Sequence, residues 1–194
     1  MSEQFSMASS ASGCYDAKEL KSALQKSIRR GFEEDAIFWA SRLAPDGDLK
    51  GAEKLWARLR VIASEDIGIA APSLPAQIRA LYENWRDSNI DHKNRSYRLF
   101  IIHAVILLCR AKKSRLVDHA TIAAYEVLPH RDIPNFALDK HTVRGGRLGR
   151  GYAHFFDEGA KLANKADIPD PYEQRVKEFL LARERRVKRG EDAA

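Results

Sequence analysis

The chain has 194 residues, 44 % of them hydrophobic and 31 % charged, which is typical of a globular protein large enough for one core. Its 33 basic and 27 acidic residues give a formal charge of +6, so nucleic acid or an acidic partner is permitted but not required. Two cysteines exclude a disulfide framework, and the longest apolar run, LFIIHAVILLC, is too short for the ~20 residues of a membrane span. We expect a cytoplasmic protein with reduced thiols and no membrane partner.

The two ends of the chain differ in composition from the region between them. Residues 1–15 are biased towards Ser, Ala and Gly and lack the basic end and apolar stretch of a signal peptide, which predicts a disordered leader. We expect residues 189–194 to form a disordered tail. Residues 16–188 are therefore expected to form a single helical domain.

Helical periodicity begins at Asp16, a predicted N-cap, and Gly31 is predicted to end the first helix. A second helix is expected from about 33 to 44. The third carries the clearest apolar stripe in the chain. That stripe consists of Ala52, Leu55, Trp56, Leu59, Ile62 and Ala63.

A fourth helix is predicted after Pro75, and a fifth, over 96–111, is apolar nearly all round and should run through the middle of the domain, with His103 as a hydrogen-bonded core histidine. Ser114 is predicted to cap a sixth helix and Asp170 to begin the last. No period-two run indicates a strand, so the fold class is all-α with about seven to eight helices. The residues expected to face inward from the sixth helix are Val117, Ala120, Thr121, Ala124 and Leu128, and the last helix shows a sparse seam of Val176, Phe179, Leu180 and Val187.

Signatures of common catalytic sites are missing. The segment GGRLGRGY lacks the lysine and the preceding strand of a phosphate-binding loop, and neither a GxSxG elbow nor a CxxC pair occurs. We expect no catalytic residue, no cofactor and no hydrolysis of ATP or GTP. His154, Asp157 and Glu158, joined by His141, could surround a metal ion, but solvated side chains are the favoured interpretation, so no metal is predicted.

The segment SEDIG breaks a local rule. Glu65 and Asp66 stand at the carboxyl end of a helix, where the macrodipole disfavours acidic side chains by about 0.3–1 kcal/mol each. We predict a structural motif of Ser64, Glu65, Asp66 and Gly68, in which a carboxylate accepts hydrogen bonds from a helix start or from an arginine. The candidate arginines are Arg58 and Arg60.

The segment HTVRGGRLGRGYAHFFDEG, residues 141–159, is interpreted as a glycine-jointed connector. Its arginines recur every third residue and would concentrate charge on one helical turn, which suits phosphate groups. The alternative is that they pair with Asp139, Asp157 or Glu158. The candidate nucleic-acid contacts are Lys112, Lys113, Arg115, Arg144, Arg147 and Arg150.

Two segments carry a family resemblance. LKSALQKSIRRGFEEDAIFWASRLAPDGD and LWARLRVIASEDIGIAAPSL resemble the carboxyl-terminal region of the replication-associated recombination protein A family of AAA+ ATPases. The later segments VLPHRDIPN and GRGYAHFFDE are similar to that family with looser spacing. The matching residues are Lys26, Ser27, Arg29, Asp35, Ala36, Trp39, Arg42, Leu43, Arg58, Leu59, Ala63, Ser64, Glu65, Asp66, Ile67 and Gly68.

This resemblance implies a helical domain related to the carboxyl-terminal collar of clamp loaders. In the family that it resembles, this domain assembles ATPase subunits into a homotetramer, and the members bind DNA. The chain begins about fifteen residues before the first collar-like helix, so we expect the domain without its ATPase modules and carry over no ATP site. The first interpretation is a non-enzymatic assembly module linked to DNA replication or repair. It would form a dimer or tetramer, or dock on a replication or repair protein. The alternative is a stand-alone nucleic-acid-binding protein that uses the basic residues given above.

Overall fold

The computed structural model describes residues 15–88 and 96–190, and these residues are all-α, as predicted. They hold nine α-helices, two of them short turns within the glycine-rich region, which is why the number exceeds the seven to eight expected. Residues 1–14 and 191–194 lie outside the described residues, so most of the predicted leader and tail stays a prediction. The helices are α1 (Ala17–Arg30), α2 (Glu33–Leu43), α3 (Leu49–Ile62), α4 (Leu74–Ser88), α5 (Tyr97–Arg110), α6 (Leu116–Ile122), α7 (Val143–Arg147), α8 (Tyr152–His154) and α9 (Glu173–Arg189).

The chain divides into two compact units, 1–128 and 129–194. The first contains α1–α6 and the second α7–α9. The expectation that 16–188 form a single domain stays a prediction, and each unit is described by itself.

The first helices begin and end where the sequence predicts. The Asp16 carboxylate accepts hydrogen bonds from the amides of Lys18 and Glu19 at 2.8 and 3.2 Å, which satisfies the first turn of α1. Gly31 ends α1 with a φ of 76°, a conformation that glycine adopts without a steric penalty.

The core of the first unit lies between α1, α2, α3, α4 and α5. Helix α5 contacts each of the other four, which confirms its predicted central position. Trp56 and Trp85 are among the largest fully buried side chains, and the predicted stripe of α3 is buried throughout.

The prediction of His103 as a core histidine is wrong, because this residue is exposed on α5. Only one side of α5 is buried, and it is formed by Ile101, Ala104, Val105, Leu108 and Cys109.

Helix α6 follows a turn in which the Ser114 hydroxyl accepts a hydrogen bond from the Leu116 amide at 3.2 Å. The predicted inward face is wrong, because no residue of α6 or of the wide turn Ala123–Val127 is buried. This helix is seven residues long and packs against the turns Ala63–Ile67 and Gly68–Ala70, where its Val117 is half-buried.

The second unit is built from short helical turns and one long helix. Asp170 accepts hydrogen bonds from the amides of Tyr172 and Glu173 at 2.9 and 3.2 Å, as predicted for the start of α9. Among residues 129–190, only Leu138 and Gly145 are buried. The predicted seam of α9 is mostly exposed.

Candidate functional site at the buried Asp66 carboxylate

Helix α3 continues into a wide, π-helical turn, Ala63–Ile67, and this turn places Asp66 inside the first unit. The side chain of Asp66 is 0 % exposed. A buried carboxylate is costly unless hydrogen bonds and an opposite charge replace its water. Its surroundings therefore decide whether the segment is a binding site or a structural element.

Helix α1 supplies the partners of this carboxylate. Gln25 Nε2 donates to one oxygen of Asp66 at 2.9 Å, and Arg29 Nε donates to the other at 2.5 Å. The same guanidinium donates to Glu65 at 3.1 Å. The hydrogen bond to Asp66 is the main reason why the pKa of Arg29 is raised above its usual value.

A main-chain contact ties the same turn to the segment before α6. The amide of Ser114 donates to the carbonyl oxygen of Asp66 at 2.9 Å. Gly68 follows with a φ of 47°, and a Cβ atom there would lie 2.9 Å from a methyl group of Val117. Glycine is therefore required both by the backbone and by the close approach of α6.

The donors differ from those predicted. Arg58 donates to the side-chain oxygen of Gln25 instead of to a carboxylate. Arg60 lies over the ring of Tyr82, with 4.7 Å between its guanidinium carbon and the ring centroid. The arginine that reaches the carboxylates is Arg29 of α1.

The basic residues predicted to contact nucleic acid fall into both units and have different environments. In the first unit, Lys113 Nζ donates to the carbonyl oxygens of Cys109 and Ala111 at 2.8 and 2.6 Å, and burial lowers the pKa of this lysine. Arg115 pairs with Asp118, and Lys112 is exposed. Lys113 thus stabilises the carboxyl end of α5.

In the second unit, the three arginines of the glycine-rich segment separate into two kinds. Arg150 donates to the carbonyl oxygens of Asn135 and Leu138, which makes it part of a loop clamp. Arg144 and Arg147 are exposed on the short helix α7 and have no hydrogen-bond or ion-pair partner within residues 129–190.

The alternative acidic partners of these arginines are engaged elsewhere. Asp157 lies 3.8 Å from Lys177, Glu158 pairs with Lys161 at 2.9 Å, and Asp139 accepts from the His141 amide. None of the three arginines is paired with these acids in the described residues.

The His154 group does not form a metal site in the described part of the chain, where no three potential ligands converge. The His141 ring packs edge-on against Phe155 at 5.2 Å between centroids. Of the glycines in 141–159, Gly149 has a positive φ, 67°. Gly145 and Gly151 are required for a different reason, because a Cβ atom there would lie 1.8 and 2.0 Å from the nearest atom.

Comparison with known proteins identifies the family of this chain. A family model described as the carboxyl-terminal region of the MgsA AAA+ ATPases matches residues 33–191. This chain belongs to that MgsA carboxyl-terminal family.

Two curated relatives carry the name replication-associated recombination protein A. The protein of Bacillus subtilis (strain 168) is 32 % identical over 163 residues, which are 79 % of this chain and 36 % of the relative. The protein of Haemophilus influenzae is 31 % identical over 145 residues, 70 % of this chain and 31 % of the relative. The chain thus spans about a third of the length of these relatives.

Within this member of the MgsA carboxyl-terminal family, the two segments that carry the resemblance contact each other. Arg29 belongs to the first and Glu65 and Asp66 to the second. No helix of the described residues has the length and hydropathy required to cross a membrane. Sequence reasoning missed Gln25 and assigned no partner to Arg29, although both stand on the face of α1 that also carries the buried Ile28.

Proposed function

We propose that this chain is a non-enzymatic helical assembly module that associates with copies of itself and acts in DNA replication and recombination. The family match supports the link to replication and recombination, since the relatives are named for it. The contacts of Asp66 support a structural role for this carboxylate, because Gln25 and Arg29 of the same chain donate hydrogen bonds to its two oxygens. The non-enzymatic character and the state of assembly, a dimer or tetramer, are part of the proposal.

One observation carries the self-association. The second unit buries a single apolar side chain larger than alanine among residues 129–190, Leu138, while Phe179 of α9 is 63 % exposed. Burial of apolar surface is the main favourable contribution to folding, so a unit with so little of it needs a further surface to cover its apolar side chains. The other exposed apolar residues are Ile133, Phe136, Val143, Leu148, Leu162, Ile168, Tyr172, Val176 and Val187.

A second copy of the chain is the proposed cover, because identical chains offer the same apolar face and close into symmetric oligomers. We expect light scattering after size-exclusion chromatography to give a mass of two or four times 21.9 kDa. Phe179→Glu should shift this mass towards that of one chain, since a charge would be buried in the contact. Circular dichroism should show unchanged helix content.

Arg175→Glu is the matched control, because it adds an acidic side chain at an exposed position of α9 without removing an apolar one. Its mass should equal that of the wild type. A mass of one chain at high protein concentration, with the second unit folded, would contradict the proposal.

Nucleic-acid binding is the second candidate function, and the pair Arg144 and Arg147 favours it. Both residues are exposed and lack an acidic partner in the described residues of their unit, and they lie three residues apart on the short helix α7. Phosphate oxygens would replace the missing partners.

We expect Arg144→Gln with Arg147→Gln to weaken the binding of a fluorescent DNA fork and to reduce the salt slope by about one unit for each arginine that meets a phosphate in the wild type. Arg150→Gln separates a structural effect from a binding effect. It should lower thermal stability, because Arg150 holds the carbonyl oxygens of Asn135 and Leu138. Equal affinity and an equal salt slope in the double variant and the wild type would refute this candidate function.

A further inference from the structure

A pocket of about 250 Å³ lies between α1 and α3 in the first unit, apart from the basic residues predicted to contact nucleic acid. Lys21 of α1 lines one side, and Lys50, Lys54 and Arg58 of α3 line the other. Among the described residues, Asp48 is the only carboxylate in the lining. Four positive charges thus face a small concave space.

The single acid does not neutralise these four cations. One oxygen of Asp48 accepts a hydrogen bond from the Gly51 amide at 2.9 Å, where it caps α3. Within 15–88 and 96–190, none of the four basic side chains has a carboxylate partner within ion-pair distance. The pocket therefore has a positive potential that the described residues leave uncompensated.

The spacing along α3 adds a second argument. Lys50, Lys54 and Arg58 follow one another at intervals of four residues, so their side chains share one helical face. Like charges at this spacing destabilise a helix by about 0.2–0.5 kcal/mol per pair. By contrast, α4 pairs Arg79 with Glu83 at the same interval. An anion in the pocket would convert the unfavourable row into a favourable one.

Arg58 supplies a third observation. One of its terminal nitrogens donates to Gln25, a member of the Asp66 network, which fixes the guanidinium in place. Its Nε atom is buried and has no hydrogen-bond partner among the described residues. This donor is therefore available to an acceptor that enters the pocket.

We propose that this pocket binds a phosphate group. The volume is below the roughly 300–1,000 Å³ of pockets that enclose a drug-sized ligand, so it suits a phosphate or diphosphate group rather than a whole nucleotide. Such a group comes either from a nucleic-acid backbone or from a small free phosphate compound. The proposal is independent of self-association and concerns residues other than those assigned to nucleic acid above.

The test uses the full chain, two probes and two matched variants. Inorganic pyrophosphate is titrated by calorimetry, and a fluorescent single-stranded DNA oligonucleotide is titrated by anisotropy at several salt concentrations. Lys54→Gln removes one exposed cation from the pocket, and Lys26→Gln removes one exposed cation of α1 that does not line it. Both positions are exposed, and melting curves verify that each variant folds as the wild type does.

We expect Lys54→Gln to weaken the binding of at least one probe by roughly threefold to tenfold, as for the removal of one hydrogen bond at a solvent-exposed position, and Lys26→Gln to leave it within about twofold. Weaker binding of pyrophosphate identifies a free phosphate compound as a ligand. Weaker binding of DNA alone, with a flatter salt slope, identifies the nucleic-acid backbone.

Three results would overturn the proposal: binding of neither probe by the wild type, equal affinities in Lys54→Gln and the wild type, or an equally large decrease in Lys26→Gln. Arg58→Lys provides a further check. It keeps the charge but removes the Nε donor, so it should also weaken the probe that responds to Lys54→Gln. The mass of the oligomer does not enter this test, so failure here is separate from failure of the assembly proposal.

Discussion

We expect Asp66→Ala to lower the free energy of unfolding by about 3 kcal/mol, the lower end of the range for breaking a buried ion pair, because Arg29 keeps 30 % of its side chain exposed to water. The substitution removes the acceptor of Arg29 Nε and of Gln25 Nε2, and only the second guanidinium contact, from Arg29 to Glu65, remains. For a chain of this size, a decrease of about 3 kcal/mol corresponds to a melting temperature lower by roughly 6–12 °C. Urea unfolding and calorimetry measure both quantities.

Glu65→Ala is the control for this prediction. Glu65 accepts from the same guanidinium but is 23 % exposed, so its removal should cost about 1 kcal/mol or less. A melting temperature of Asp66→Ala equal to that of the wild type, together with failure to bind a partner that the wild type binds, would make the carboxylate a ligand-binding group instead of a structural one.

We expect two adjacent glycines of α7 to respond to alanine with opposite signs. A Cβ atom at Gly145 would lie 1.8 Å from the main-chain oxygen of Asp139, which cannot move without opening the turn. Overpacking of this kind costs about 1–3 kcal/mol. At Gly146 no atom lies within 4 Å of the added Cβ, so alanine should stabilise the turn by about 0.5–1 kcal/mol.

Amide hydrogen exchange over residues 139–150 measures this local difference better than global melting. Gly145→Ala should accelerate the exchange of the amides of residues 145 and 146, which donate to Thr142 in the closed turn. Gly146→Ala should slow it. Equal exchange rates in the two variants would contradict the prediction that a Cβ atom at position 145 opens the turn.

The burial of Asp66 could be predicted from the sequence, but its partner could not. Asp66 follows Leu59, Ile62 and Ala63 at the spacing of three and four residues that defines the buried stripe of α3. A carboxylate on that stripe must be paired or displaced. The periodicity of a helix places its faces, but it does not say which other helix packs there, so Arg29 of α1 could not be chosen over Arg58 or Arg60.

For the sixth and last helices, the boundaries could be predicted from the sequence, but the burial of the apolar residues could not. Their apolar residues recur at helical spacing, and the boundaries near Ser114 and Asp170 follow from cap chemistry. The apolar faces are nevertheless exposed, because burial depends on a surface that a periodic pattern does not specify. The basic pocket was missed for a similar reason: Lys21 and Lys54 are distant in sequence, and only the packing of α1 beside α3 brings them together.

The Asp66 contacts join segments that are distant along the chain, which bears on the order in which this part of the chain folds. Gln25 and Arg29 are 41 and 37 residues from Asp66 along the chain, and the Ser114 amide is distant on its other side. Closing loops of this length costs chain entropy before any contact forms, whereas the turn joining α1 to α2 closes locally. We therefore expect these contacts to form late in folding, so that Asp66→Ala should accelerate unfolding and change the folding rate little.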